Sequence, residues 1–370
     1  MQPLRICHFS SVHPWNDIRI FHKECLSLAA MGHHLTLIAV GEKEEEFMHQ
    51  GVRVITCANP FSGRVSRALR FSRVVVTRAL SIDADIYHFH DPELLPFAKR
   101  FTRLRKKIIY DVHEDLPRQI STKPWIPRFF RGAAAAFAEV FENRLAKRVS
   151  GIVAATPHIE MRYQKFITST CCIYNAPLLR EFNLQSQPSY RTNQVVYIGL
   201  ISEKRGILTL LQALEHVNAR LQLAGKFESD SLFQHCQNMP AWSKVDYHGV
   251  LDRNSIADLL RGATIGMVTL HPTSNYLESY PIKMFEYMGA ALPVIASDFP
   301  LWKSIIETHA AGLCVNPLDA HAIGSAIQQL LDSPEMCRSM GANGRKHILE
   351  AFNWEHEASK LNSFYRTLMH

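Results

Sequence analysis

The chain has 370 residues, 47% of them apolar and 20% charged, and a formal net charge of +7. That length suits two domains with a core each, and the composition excludes a disordered or fibrous protein. No apolar run reaches the roughly 18–20 residues that a spanning helix needs, and Met1-Gln2-Pro3-Leu4-Arg5 leads directly into a strand-like run, so no signal peptide is expected.

The eight cysteines are scattered, with one adjacent pair, Cys171-Cys172, and no C-x-x-C. They read as free thiols in a reducing compartment, which makes the expected location cytoplasmic. The charge is uneven. Residues 1–185 hold 26 Lys+Arg against 17 Asp+Glu, or +9, and the remainder 15 against 17, or −2. The amino-terminal half is therefore the side expected to meet an anionic partner.

In chain order, residues 4–9 are predicted as the first strand. Residues 18–31 follow as a helix with Phe21, Cys25, Leu28 and Ala29 on one face, and Gly32 ends it. The loop between carries His13, Trp15, Asn16, Asp17 and Arg19. Two readings stand there: a polar binding loop, or a capped turn with Asp17 as N-cap. Residues 35–40 are the next strand. Residues 63–80 form a basic helix with Arg64, Arg67, Arg70 and Arg73 at a spacing of three. No base-reading motif or interleaved aromatic accompanies them, so a solvated face is expected rather than nucleic acid. Residues 86–90 are a strand with His88 and His90 on one face. With Asp91 they offer metal-ligating side chains, yet no further pair at metal spacing follows, so no metal is expected. The strand 107–112 delivers His113 at its carboxyl end, where α/β sheets bind ligands; a histidine capping the next turn is the alternative. Residues 123–131 mix Lys123, Arg128 and Arg131 with Trp125, Phe129 and Phe130, then enter a helix to about Arg148. This suits an anionic membrane surface or, equally, aromatics packed inside the domain. Strands at 149–154 and 171–174 close the first domain, and the breaker-rich residues 185–190 put the boundary near 190.

The second half alternates in the same way. Strands are predicted at 195–198, 220–224, 245–248, 264–270, 291–296 and 312–315. Helices are predicted at 254–261, from Pro281 to a closing Gly289, at 319–331 and at 334–349, with another beginning at Ile207 and a terminal one opened by Phe352-Asn353-Trp354-Glu355. Strands alternating with helices define an α/β class with parallel sheets. A dinucleotide fold is not indicated: the first turn has only Gly199 and Gly206, and the next strand ends in Gly225-Lys226 rather than an acid.

The segment Glu278-Ser279-Tyr280-Pro281-Ile282-Lys283-Met284-Phe285-Glu286 is the most informative. Pro281 opens a helix whose free amides at Ile282, Lys283 and Met284 sit at the positive dipole end. A lysine there is mildly unfavourable, and an anion such as a diphosphate reverses that sign. Glu278 and Glu286 are suited to hydroxyls on either side of such a phosphate. An ordinary surface helix with a Lys283–Glu286 pair is the alternative.

Glu278 and Glu286, with seven residues between and with Pro281 and Lys283 inside, resemble the signature of family-4 retaining glycosyltransferases of GT-B fold. Tyr287-Met288-Gly289-Ala290-Ala291-Leu292-Pro293-Val294-Ile295-Ala296 is also similar to that family. The resemblance runs along nearly all the chain. It implies two Rossmann-like domains facing a cleft, here 1–190 and 191–354, with residues 355–370 crossing back to the first. It implies a nucleotide-diphosphate sugar as donor, with no further cofactor. Glu278 would hold the donor sugar, Glu286 the ribose, and His113 the sugar from the other domain. Where the family shows Gly-Arg-Leu-x-x-x-Lys-Gly, this chain has Gly199-Leu200 and then Lys204-Arg205-Gly206. The diphosphate is thus expected at Gly199, Arg205, Lys204, Lys283 and the helix start at Pro281 and Ile282. The family's first loop is often glycine-rich; here His13, Asn16, Asp17 and Arg19 stand on the acceptor side. The basic, aromatic first half implies a lipid-linked or surface-polysaccharide precursor, such as one for lipopolysaccharide, at the cytoplasmic membrane face. A sugar-nucleotide epimerase or hydrolase of the same fold is one alternative, and a non-catalytic docking module another.

Overall fold

The computed structural model describes residues 2–61, 63, 66–122, 126–182 and 193–369. Lys123, Pro124 and Trp125 of the basic aromatic segment, Arg64 of the basic helix, and the breaker-rich 185–190 lie outside the described residues. Two compact units divide at Asn175/Ala176, and the segment Glu355–His370 belongs to the first. The expected boundary near 190 therefore falls some residues too late. Phe182 explains the shift: its ring packs against Gly289, where a Cβ would lie 2.3 Å from it, so the chain past Ala176 is committed to the second core.

The first unit holds an eight-stranded sheet. In chain order its strands are β1 (Arg5–Pro14), β2 (His34–Gly41), β3 (Glu45–His49), β4 (Val52–Ala58), β5 (Ile86–Phe89), β6 (Lys107–Val112), β7 (Gly151–Ala154) and β8 (Thr170–Cys172). Their spatial order is β3-β4-β2-β1-β5-β6-β7-β8. All pairs are parallel except β3–β4, an antiparallel hairpin that the sequence reading missed. Its two-residue turn places Gln50 at φ 48° and Gly51 at φ 83°, the left-handed pair that hairpin twist demands. A glutamine in the first of these positions is a weak signal. The strand order reverses between β1 and β5, which makes the carboxyl ends of that pair the switch point of the sheet.

The first helix differs from expectation. Ile18–Cys25 is wound wider than an α-helix, with His22 N bonding Asp17 O at 3.3 Å, and becomes α-helical over Leu26–Ala30. Such widened turns gather at functional positions. The terminal helix Trp354–Met369 docks on β7: Phe364 Cζ would meet a Cβ on Gly151 at 2.8 Å.

The second unit holds six parallel strands: β9 (Gln194–Ile198), β10 (Arg220–Ala224), β11 (Val245–Gly249), β12 (Ile265–Val268), β13 (Val294–Ser297) and β14 (Gly312–Val315). They lie in the order β11-β10-β9-β12-β13-β14, so this sheet reverses between β9 and β12. The helix Ile282–Gly289 covers it, buried from Lys283 to Gly289. Pro281 is its N-cap rather than its first residue. Gly289 is its last residue, with Ala290 as the cap, and Ala291, not the glycine, turns left-handed at φ 60°, with Leu292 N on Tyr287 O at 2.9 Å. That turn delays β13 to Val294, later than the predicted start. All eight cysteines are free thiols.

Candidate active site

In the second unit the expected phosphate ligands gather at the switch point. β9 runs into Gly199, at φ 105°, and β12 runs into Thr269. Gly206, at φ 79°, lies against that second strand end: a Cβ there would sit 1.9 Å from Thr269 O. The approach is possible only without a side chain. Tyr197 Oη donates to Leu200 O at 2.9 Å and holds the loop. Trp302 Nε1 donates to Ser279 O at 2.7 Å and holds the segment before the helix.

Three buried polar atoms here have no hydrogen-bond partner among the described residues: Arg205 Nε, Lys283 Nζ and Thr269 Oγ1. Lys283 Nζ rests 3.5 Å from the centre of the Tyr197 ring, a cation–π contact. Burial, then the Arg205 charge, push the Lys283 ammonium well below its usual pKa, and Glu286 opposes the shift. Buried donors left unpaired cost about 1–3 kcal/mol each, so the site is built for an acceptor that these residues do not themselves supply. No side chain caps the helix start at Ile282, although the Met284 amide, expected to be free, bonds Pro281 O at 2.9 Å. Lys204, the second choice as phosphate ligand, is exposed, and its carbonyl accepts from His271 N. Arg205 is the residue turned inward.

The two glutamates differ. Glu278 is exposed at the end of the short helix Ser274–Leu277. Glu286 is buried and ion-paired, to Arg253 Nη2 at 2.7 Å and not to Lys283. Arg253 also grips Glu181. Beside this triad a pocket is walled by Phe182, Ile256, Leu260 and Ala290. Neither Arg253 nor Tyr197 carries a sequence signal that singles it out.

The first unit gathers His13, His113 and a buried polar cluster at its own switch point. His113 Nε2 meets Asp111 Oδ2 at 2.9 Å and His90 Nδ1 at 3.1 Å. Its ring lies 5.5 Å from that of His13. Burial opposes charging of His13, but Asp17, Asp91 and Asp111 outweigh it and raise its pKa. Asp17 is the N-cap, accepting from the Arg19 and Ile20 amides at 2.9 Å each. Asn16 is exposed. Arg19, expected on the acceptor side, is buried, bound to Asp111 by two bonds of 3.2 and 3.1 Å and to Ile173 O at 3.1 Å. Burial alone would raise the Asp111 pKa, yet Arg19, His113 and His90 hold it well below the carboxylate range. Asp91 does not join His88 and His90. It accepts from Ser10 Oγ at 2.8 Å and Ser11 N at 2.7 Å.

Residues 20–176 match the family model Glycosyltransferase Family 4, and residues 180–347 the model Glycosyl transferases group 1. A phosphatidyl-myo-inositol mannosyltransferase of Mycolicibacterium smegmatis is 22% identical over 356 residues, 91% of this chain and 86% of that one. An uncharacterized glycosyltransferase of Methanocaldococcus jannaschii is 23% identical over 180 residues, 47% of this chain and 45% of the relative, so the chain spans under half of that protein. A sucrose-phosphate synthase of Thermosynechococcus elongatus superposes with TM-score 0.77 at 20% identity, over 98% of this chain and 99% of that one. HepE of Anabaena, in complex with UDP-glucose, gives 0.74 at 14% identity, over 98% of this chain and 100% of that one. Two doubly wound units, a terminal helix returned to the first and these likenesses define a glycosyltransferase of GT-B fold. Taken with the two family models, which together run from residue 20 to 347, they show that the chain belongs to the family-4 glycosyltransferases.

Proposed function

We propose that the chain transfers a glycosyl group, with retention, from a nucleoside-diphosphate sugar to the hydroxyl of a lipid-linked or surface-polysaccharide precursor at an anionic membrane face. The observation that carries the donor assignment is the set of unpartnered buried donors on Arg205, Lys283 and Thr269 at the β9/β12 switch point. A diphosphate supplies the missing acceptors and, as leaving group, has its charge neutralised by the two cations. Gly199 and Gly206 let the backbone come close, and the uncapped helix start at Pro281 and Ile282 adds its dipole. The nucleoside lies toward the pocket beside Glu286, with its ribose on that carboxylate, which Arg253 orients. Glu278 holds the sugar, and His113 is assigned a sugar contact by resemblance. In the retaining step the C1–O bond to the diphosphate breaks as the acceptor oxygen bonds C1 from the same face. The departing phosphate oxygen takes the acceptor proton. HepE bound to UDP-glucose and the inositol-lipid mannosyltransferase support this pairing of donor and acceptor classes.

Because Lys283 is held low before the ligand arrives, diphosphate binding raises its pKa and draws in a proton. Calorimetry of UDP or GDP binding at a series of pH values below the ordinary lysine pKa, in buffers of different ionisation enthalpy, is expected to show proton uptake between the Lys283 pKa of the free protein and that of the complex. Affinity is expected to weaken as pH rises through the Lys283 pKa of the complex. Binding with no proton exchanged contradicts the assignment.

The membrane reading rests on the helix Arg128–Ala146. Phe129 is 93% exposed and Phe137 73%, and Phe130, Val140 and Phe141 are exposed as well. Phe130, Phe137 and Phe141 follow the helical spacing of seven and four, so they share a face. Arg144, Lys147 and Arg148 are exposed near the end of this helix. Apolar rings with cations beside them suit an anionic interface. No described helix is long and apolar enough to cross a membrane. The chain is expected to sediment with anionic liposomes at low salt, and Phe137→Ser with Phe141→Ser to cut the bound fraction severalfold. Equal sedimentation of this double variant would remove the helix from the reading.

A further inference from the structure

We propose that His8, Glu24, His88 and His90 form a closed site for one divalent transition-metal ion of the zinc type inside the first unit. All four side chains are buried, and their ligand atoms lie within 4.8 Å of one another. His8 and His88 are brought opposite each other by the β1–β5 register. His90 follows on the same face, and Glu24 descends from the widened helix Ile18–Cys25. His8 Nδ1 is 3.0 Å from His90 Nε2 and 3.6 Å from Glu24 Oε2, and His90 Nε2 is 3.9 Å from that same oxygen. Tetrahedral zinc with bonds of about 2.0–2.1 Å separates its ligands by about 3.3 Å, a value these distances bracket.

The outer ring nitrogens set the tautomers. His8 Nε2 lies 3.2 Å from Tyr365 Oη, and His88 Nδ1 bonds the same hydroxyl. His90 Nδ1 lies 3.3 Å from Asp111 Oδ2. With each outer N–H donated to an oxygen, as in metal-bound histidines, the three inner nitrogens present lone pairs. They face one another and a carboxylate. His88 Nε2 and both Glu24 oxygens have no hydrogen-bond partner among the described residues; Arg19 Nε approaches Oε1 at 3.0 Å as an ion-pair contact only. Converging acceptors in a buried space need a cation, and three imidazoles with a carboxylate select zinc or a neighbouring transition metal over calcium or magnesium. Four protein ligands close the shell, so the role is structural. The ion ties the first helix to β1 and β5, ties the terminal helix through Tyr365, and fixes His90 and Asp111 behind His113.

The full-length chain, unfolded with chelator and refolded with Co2+, tests this. One Co2+ per chain is expected, with the intense visible bands of four-coordinate ligation, displaced by Zn2+. His88→Gln and Glu24→Gln are each expected to weaken Zn2+ binding at least tenfold, and Tyr365→Phe by about tenfold through the outer shell. His309→Ala, in the stacked His309–His347 pair of the second unit, is expected to leave it unchanged. If the buried variants do not refold, the native chain's spectrum and stoichiometry decide. Absence of the bands in the native chain overturns the proposal, as do bands that persist in both ligand variants. Those results would mean that protons, shared between the imidazoles and Glu24, fill the space instead.

Discussion

Lys283→Ala is expected to lower kcat/KM for glycosyl transfer by about 10–150-fold, the equivalent of about 1.5–3 kcal/mol of charge-assisted contact. The loss should appear in binding of the nucleoside diphosphate itself, because the proposed role of the ammonium is to meet the phosphates and not the sugar. Folding should be spared or slightly improved. Lys283 Nζ is buried with no hydrogen-bond partner among the described residues, and its charged form is disfavoured by burial and by Arg205. A residue that weakens the empty protein and strengthens the complex is the mark of a ligand site. Steady-state kinetics with calorimetry of the diphosphate checks this. Unchanged diphosphate affinity in the variant would remove the site, whatever happened to turnover.

Arg19→Met is expected to do the opposite, costing about 3–5 kcal/mol of stability. The guanidinium is 5% exposed and lies between two buried carboxylates, with Asp111 Oδ1 at 3.1 Å and Glu24 Oε1 at 3.0 Å. Without it, buried Asp111 loses its principal countercharge and keeps only its histidine partners. Urea denaturation at neutral pH is the measurement. A variant with native stability but a raised KM for acceptor would restore Arg19 to the acceptor side, where its place in the first loop had put it.

The contrast between these residues shows what patterns along the chain can carry. Lys283 is legible because proline, helix start and cation are neighbours in sequence, and their conflict with the dipole is local. Arg205 is legible for the same reason, standing against Gly206 in a short turn. Arg19 looks alike on paper, a cation beside a polar loop, yet its partners Asp111 and Glu24 come from a distant strand and from the far end of its own helix. Arg253, which orients Glu286, is 33 positions away and opens a helix of no special composition. The β3–β4 hairpin was missed because Gln50 is an uncommon residue for its left-handed turn position. Phe182 moved the domain boundary because a packing contact, not a breaker-rich stretch, decided where the second core begins.

What the sequence determined unaided is the alternation of buried strands and helices, the two cores and the turn from Gly199 to Gly206, since each depends on residues within a few positions of one another. The tertiary structure alone decided which charges are spent inside. It set the order β3-β4-β2-β1-β5-β6-β7-β8 that brings His8 beside His88. It also decided which donors, at Arg205, Lys283 and Thr269, were left without partners. Strand order is a long-range property, and satisfaction of a buried polar atom depends on every neighbour at once, so neither is written in any local stretch of chain.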